Sequence, residues 1–155
     1  MNIFFHFLFN YVVVNLCFGN AWGYVAVIFV SSVLIDLTHL PYLAKVGSGV
    51  VKKRFGAESR TRFHELYGLI LASSILGVLF FFVDTAIIQI SALCIILHFA
   101  VDFLAGKSMP FYPVSKRVVF LDIFPYGYRS KFLFEVAATS ITGVLFWLEI
   151  ANLVL

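Results

Sequence analysis

Four histidines and several carboxylates stand in or beside the apolar stretches of this chain, where polar side chains are costly. Asp36 and His39 are three residues apart, and His98 and Asp102 are four residues apart. On a helix each pair lies on one face, the arrangement with which helical bundles build metal sites in their cores. A divalent cation binds deprotonated imidazole and carboxylate groups and so offsets the cost of burying them. These spacings indicate a metal site.

A further polar group combines two arginines with a histidine and a carboxylate in the segment Arg60-Thr61-Arg62-Phe63-His64-Glu65. Guanidinium groups beside an imidazole suit the binding of a phosphate or a carboxylate. Purely structural interpretations stay open, since Asp36 could cap its helix or pair with a lysine. His98 and Asp102 could likewise form one structural hydrogen bond. It is the coincidence of four histidines, rather than any single residue, that favours a site.

Five apolar stretches must position these residues, at about 3–18, 21–43, 65–83, 86–105 and 131–155. The chain of 155 residues is 62% hydrophobic and 12% charged, with a mean hydropathy of +1.01. A soluble domain carries about 25% charged residues, so this composition all but excludes a soluble globular enzyme. About 20 helical residues cross the hydrocarbon layer, and backbone groups in lipid must pair within their own segment. The sequence predicts an all-α, polytopic integral membrane protein of about five transmembrane helices, with 1–155 as one domain.

The basic residues are confined to two of the connecting segments, at about 44–64 and 106–130. Of eleven lysines and arginines, six lie between Lys45 and Arg62 and five between Lys107 and Lys131. Alternation of five spans places both segments on one face, which the positive-inside rule makes cytoplasmic. We therefore expect an N-terminus on the cytoplasmic side of the plasma (inner) membrane. These topogenic residues explain the net charge of +3, so no nucleic-acid partner is expected.

This topology brings the polar groups of four predicted helices to one level near the cytoplasmic face. The histidines at this level are His6, His39, His64 and His98. The carboxylates that accompany them are Asp36, Glu65 and Asp102. Chance would have scattered such residues between both faces of the membrane. The pattern predicts one shallow polar layer shared by separate helices.

The order of these motifs resembles the YdjM-like family of membrane-bound, metal-dependent hydrolases, over about residues 3–117. That family has a leading histidine, a D-x-D-H, an R-G-x-T-H-S and an H-x-x-x-D followed by prolines. The corresponding pieces here are His6-Phe7-Leu8-Phe9, Asp36-Leu37-Thr38-His39, Arg60-Thr61-Arg62-Phe63-His64-Glu65, His98 to Asp102, and Pro110-Phe111-Tyr112-Pro113. The resemblance implies metal ligation by six residues: His6, Asp36, His39, His64, His98 and Asp102. In this chain Thr38 replaces the second aspartate of D-x-D-H, and the R-G-x-T-H-S pattern is only partly kept.

The resemblance implies hydrolysis of a phosphate ester, with a lipid as one candidate substrate, at a membrane-embedded metal site. Glu65 would replace the missing ligand or act as a general base, and Arg60 or Arg62 would neutralise phosphate charge. Among divalent metals, Zn²⁺ best suits mixed nitrogen and oxygen ligands. The family also resembles zinc phospholipase C distantly. That likeness implies phosphodiester chemistry for this chain by analogy alone.

Two alternatives stay open at this point. The first is a non-enzymatic membrane scaffold or interaction subunit, in which a polar or metal layer holds the helices together. The second is a transporter that uses intramembrane histidine and aspartate groups. The one-sided position of the polar residues weighs against transport. Membrane lipid is the expected partner in each case.

Overall fold

The computed structural model describes residues 2–38, 62–119, 121, 123 and 128–154. In these ranges the α-helices are α1 Ile3–Phe18, α2 Val25–Leu37, α3 Leu66–Leu79, α4 Thr85–Ala105 and α5 Tyr128–Val154. Two 3-10 turns, Trp22–Tyr24 and Arg62–His64, precede α2 and α3. The described part of the chain contains no strand, only an isolated antiparallel bridge between Ser108 and Val119. The prediction of a helical fold is confirmed at this level.

The ends of α1 and the start of α4 follow from local sequence. Asn2 caps α1, because its Oδ1 accepts the amide hydrogen of Phe5 at 2.7 Å. Gly19 ends the same helix with a φ of 72°, a left-handed conformation that glycine adopts without steric cost. Asp84 caps α4, since its carboxylate accepts the amide hydrogen of Ala86 at 2.8 Å. The breaks between apolar stretches are therefore set by capping residues.

Helix α1 is central to the bundle, because it packs against α2, α4 and α5. Helices α2 and α4 also pack on each other, and α3 packs against α4. Aromatic contacts join α1 to α5, where Phe7 and Tyr11 meet Phe146 with ring centroids 5.8 Å and 4.6 Å away. Both pairs are close to edge-to-face, the arrangement that aromatic rings prefer.

The interface of α1, α2 and α4 is built in three layers, which follow one another at intervals of four residues, or about 6 Å, along each helix. The outermost layer carries ionisable side chains, the middle layer small polar ones, and the deepest layer aliphatic ones. From the outside inward they are His6, Asp36 and His98; Asn10, Ser32 and Cys94; and Val14, Ile28 and Ile90. The aliphatic layer is fully buried and closes the interface below the polar side chains.

The start of α3 is held by close packing and by one carboxylate. A Cβ atom at Gly68 would collide with the carbonyl oxygen of Phe63, so glycine allows the preceding 3-10 turn to fold back on the helix. Glu65 is 3% exposed and accepts hydrogen bonds from the Ser108 hydroxyl and, at 2.9 Å, from the Met109 amide. This carboxylate fixes the segment after α4 to the beginning of α3.

Two helical segments are long and apolar enough to cross a membrane, Thr85–Ala105 and Arg129–Asn152. The remaining helices α1, α2 and α3 are shorter, with 16, 13 and 14 residues. Length and composition thus identify two candidate spans. For the three shorter helices, membrane crossing stays a prediction from sequence.

Candidate metal centre

Four buried side chains from three helices converge at one end of the bundle: His6, Asp36, His98 and Asp102. One ligand atom from each lies within 4.8 Å of those from the other three. Both imidazoles are fully buried, and Asp36 and Asp102 are only 8% and 6% exposed. The group forms because the start of α1, the end of α2 and the last turns of α4 meet there. The structure thus brings together four of the six residues predicted as ligands.

Carboxylates face the imidazoles across this group. Nε2 of His6 lies 3.2 Å from Oδ1 of Asp102. Nε2 of His98 lies 3.8 Å from Oδ2 of Asp102 and 3.8 Å from Oδ1 of Asp36. The two imidazole rings stack, with centroids 3.9 Å apart and planes inclined by 22°. The nitrogen and oxygen atoms that face one another therefore enclose one small volume.

A backbone carbonyl determines which nitrogen of His98 faces the carboxylates. Nδ1 lies 3.0 Å from the carbonyl oxygen of Ser32, which can only accept a hydrogen bond. Nδ1 therefore carries the ring hydrogen and donates it. In the neutral ring the lone pair is then on Nε2, which faces Asp36 and Asp102. Such a backbone bond behind a histidine is typical of metal ligands, because it fixes the tautomer and the ring orientation.

Several polar atoms of this group make no hydrogen bond within the described residues. They are Nδ1 of His6, Nε2 of His98 and Oδ2 of Asp36, whereas Nε2 of His6 faces Oδ1 of Asp102 at 3.2 Å. A buried polar atom left without a partner costs about 1–3 kcal/mol. Lone pairs of carboxylates and of Nε2 of His98 also repel one another unless a proton or a cation lies among them. A divalent cation would pair these atoms and neutralise two carboxylates, so the residues present fit a metal ion.

His64 lies beside the four-residue group. Its Nε2 is 3.5 Å from Oδ1 of Asp36, and its ring centroid is 5.8 Å from that of His98. Its Nδ1 is 3.2 Å from Oγ1 of Thr38. The Thr38 hydroxyl donates to the carbonyl of Ile35 at 2.8 Å, and its oxygen lies beside Nδ1 of His64. Thr38 thus contacts one side of the His64 ring, and Nε2 on the other side faces Asp36.

Asn10 and Ser32 form a hydrogen-bonded layer directly beneath the site. Nδ2 of Asn10 donates to Oγ of Ser32 at 2.8 Å and to the carbonyl oxygen of Cys94 at 3.2 Å. One side chain thus joins α1 to α2 and α4. Neither residue was predicted from the sequence to belong to the site, although their spacing from the predicted ligands would have indicated it. Each lies four residues from a predicted ligand, His6 or Asp36, and so on the same helix face.

The remaining residues predicted for the site are placed differently. Glu65 lies outside the four-residue group, and both of its oxygens accept hydrogen bonds from Ser108 and Met109. Arg62 begins the 3-10 turn before α3, and its side chain is not among those described. His39 and Arg60 lie outside the described residues.

Searches against known proteins returned no match for this chain, whether to a protein-family model, a curated protein or a solved structure. The YdjM-like family stays a prediction from the sequence motifs. The site is therefore interpreted from its own geometry: a buried His₂Asp₂ group able to hold a metal ion.

Proposed function

We propose that this chain is a membrane-embedded hydrolase that binds a divalent cation and cleaves a phosphate ester. The main observation is the convergence of His6, Asp36, His98 and Asp102, with buried polar atoms that lack hydrogen bonds. Zn²⁺ is the cation we expect, because the ligands are two imidazoles and two carboxylates. The resemblance of the motifs to the YdjM-like hydrolases supports the same chemistry.

The membrane placement is supported by the surface of the helices. On α5, the apolar side chains of Leu133, Ile141, Val144 and Trp147 are 59–68% exposed. Continuous apolar surface of this kind is rare on soluble monomeric proteins. We propose five spans in the plasma (inner) membrane, with the N-terminus and the metal site on the cytoplasmic side. The distribution of lysines and arginines supports this orientation.

In the proposed reaction, each residue of the site has a role that follows from its contacts. A bound divalent cation would supply Lewis acidity towards a phosphate oxygen and activate water for attack. The Ser32 carbonyl holds His98 in the ligating tautomer. In the tautomer with its hydrogen on Nδ1, His64 would accept the proton of the attacking water at Nε2. Attack at phosphorus breaks the ester P–O bond, and the alcohol leaves after protonation by solvent.

Other charged residues enter this proposal with revised roles. Glu65 was a candidate general base, but its carboxylate already binds Ser108 and Met109, so we assign the proton transfer to His64. We keep Arg60 and Arg62 as the groups expected to neutralise the phosphate, on the basis of their spacing before His64.

Elemental analysis of detergent-purified protein, combined with a phosphatase assay, tests the proposal. The unchanged chain should retain metal and hydrolyse dioleoyl phosphatidic acid or p-nitrophenyl phosphate. His98→Ala should lose both the metal and the activity. His64→Ala should keep the metal and lose activity by about 10²-fold or more, as expected for a general base. Unchanged metal content in His98→Ala would count decisively against the site.

The near-complete burial of the group favours one alternative, a structural metal or polar layer in a non-enzymatic scaffold. Structural metal sites are closed, whereas catalytic sites keep a position open to water or substrate. A scaffold predicts that His98→Ala lowers the unfolding temperature while the parent protein turns over no phosphate ester. Transport is disfavoured, because the aliphatic layer of Val14, Ile28 and Ile90 is fully buried beneath the polar residues.

A further inference from the structure

An apolar cavity of about 370 Å³ opens between the first turns of α3 and the segment that follows α4. One wall is formed by Leu66, Tyr67 and Ile70 of α3. The other is formed by Pro110-Phe111-Tyr112-Pro113-Val114-Ser115. Almost all the lining atoms are carbon, so the cavity suits a hydrocarbon group rather than a polar one.

The cavity and the candidate metal centre are linked through the two residues that precede α3, His64 and Glu65. Glu65 joins the two walls, because it precedes Leu66 in the chain and binds the amide of Met109, the residue before Pro110. His64 is two residues from Leu66, which is no more than about 7 Å of extended chain. Nε2 of His64 in turn lies 3.5 Å from Oδ1 of Asp36. The α3 wall of the cavity therefore begins two residues after a histidine that contacts Asp36.

Beyond the lining residue Ile70, the same face of α3 continues as a stripe of small side chains. Leu66, Ile70, Ser74 and Gly77 share one helix face by their spacing. The Ser74 hydroxyl is bonded to the carbonyl of Ile70 at 2.9 Å, and a Cβ atom at Gly77 would meet no atom within 4 Å. From Leu66 to Gly77 the stripe is about 16 Å long. One membrane leaflet contains about 15 Å of hydrocarbon, so the stripe matches one lipid chain.

Basic residues flank the lining segment 110–115 on both sides in the chain. Lys107 stands just before Ser108, which Glu65 binds, and Lys116 and Arg117 directly follow the lining residue Ser115. All three basic side chains are exposed. Cations at this position attract an anionic headgroup. Their electrostatic attraction for a neutral or zwitterionic headgroup is weaker.

We infer that the cavity and stripe bind the hydrocarbon chain of a lipid phosphate monoester and present its headgroup to the metal ligands. The inference specifies the substrate class of the proposed hydrolase and in that respect rests on the proposed function. The binding step itself requires only the apolar walls and the flanking cations. It can therefore be measured without turnover.

Photolabelling tests the binding step. The full chain is placed in phosphatidylcholine nanodiscs with phosphatidic acid that carries a diazirine near the end of one acyl chain. A phosphatidylcholine probe with the same acyl chain serves as the comparison. We expect phosphatidic acid to label residues 66–77 and 110–115 at least threefold more than phosphatidylcholine. Equal labelling by the two lipids, or labelling spread evenly around α3, would overturn the inference.

A matched pair of variants tests whether the acyl chain of the lipid lies on one face of α3. Ile70 lines the cavity and is 59% exposed, whereas Ile75 is 51% exposed on the opposite face. Ile70→Trp fills the cavity and should reduce phosphatidic acid labelling about fivefold, while Ile75→Trp should leave it unchanged. Equal effects of the two substitutions would contradict the assigned face.

The same preparations separate this inference from the proposed function. His98→Ala should lose metal and hydrolysis and yet keep the phosphatidic acid label at residues 66–77. Selective labelling without hydrolysis by the unchanged chain supports the lipid site and refutes the hydrolase. Hydrolysis of p-nitrophenyl phosphate without selective labelling supports the hydrolase and refutes the lipid site.

Discussion

The imidazole rings of His6 and His98 stack with their centroids 3.9 Å apart, although the two residues lie near opposite ends of the chain. Two protonated rings at this distance would repel each other strongly in a buried site. A neutral form of either ring removes this repulsion and is the form that binds a metal. The stack also places the Nε2 atoms of both rings near Asp102.

Replacing His6 by phenylalanine distinguishes the contribution of ring stacking on His98 from the contribution of Nε2 to metal binding. His6→Phe keeps a flat ring against His98 but removes Nε2, the atom that lies 3.2 Å from Asp102. We expect the metal affinity to fall by more than about 100-fold, because even residues behind the ligands change affinity by 10–100-fold. Isothermal titration with Zn²⁺ measures this change.

The metal-free His6→Phe protein provides the control for folding. Its unfolding temperature in the presence of a chelator should stay close to that of the unchanged chain, because the ring still fills the same buried volume. Equal Zn²⁺ affinity in the two proteins would show that His6 packs against the site without binding the ion.

Asn10 should contribute to stability through its bonds to two other helices. Asn10→Ala removes the donors to Ser32 and to the Cys94 carbonyl. Side-chain hydrogen bonds between membrane helices contribute about 0.6 kcal/mol on average, so we expect a loss of about 1 kcal/mol for two bonds. A double-mutant cycle with Ser32→Ala isolates the Asn10–Ser32 term. Strictly additive effects would mean that this bond does not stabilise the fold.

Hydropathy was enough to predict that the apolar stretches form helices. The apolar stretches predicted at 3–18 and 86–105 correspond to α1 and α4 within one residue. The prediction for 21–43 was less accurate, because a 3-10 turn at Trp22–Tyr24 precedes α2. Apolar residues lie on several sides of each helix, so apolar periodicity alone did not show which face meets a neighbour, and only the spacing of the polar residues carried that signal.

The candidate site was predictable only as far as spacing on one helix allows. His98 and Asp102 are four residues apart, and their side chains do approach to 3.8 Å. The stacking of His6 on His98 depends on how α1 and α4 cross, which no local pattern contains. The hydrogen bonds of Glu65 could not be predicted from local sequence either, because their donors lie more than forty residues further along the chain.

Two substitutions of Glu65 distinguish a structural carboxylate from a general base. Glu65→Gln can still accept from the Met109 amide and bond to Ser108, so we expect hydrolysis within about threefold of the unchanged rate. Glu65→Ala removes both contacts and should expose the Met109 amide to hydrogen exchange. A loss of about 10²-fold in Glu65→Gln, with Met109 still protected, would instead identify Glu65 as the base.

Cysteine accessibility tests the proposed orientation in the membrane. Cys17 is exposed near the end of α1, on the predicted outer side, whereas Cys94 is buried. A membrane-impermeant maleimide should label intact spheroplasts at Cys17, and Cys17→Ser should abolish that label. Labelling that requires permeabilised membranes would reverse the orientation.

The unequal lengths of the helices have a consequence for the surrounding bilayer. Helix α4 is about 32 Å long and α5 about 40 Å, but α1, α2 and α3 are only about 20–24 Å each. A hydrocarbon layer of about 30 Å cannot match both sets, so lipid beside the short helices would have to thin. His6, Asp36 and His64 lie at the ends of these short helices. In the proposed placement, hydrophobic mismatch would draw phosphate groups down to the level of the histidines.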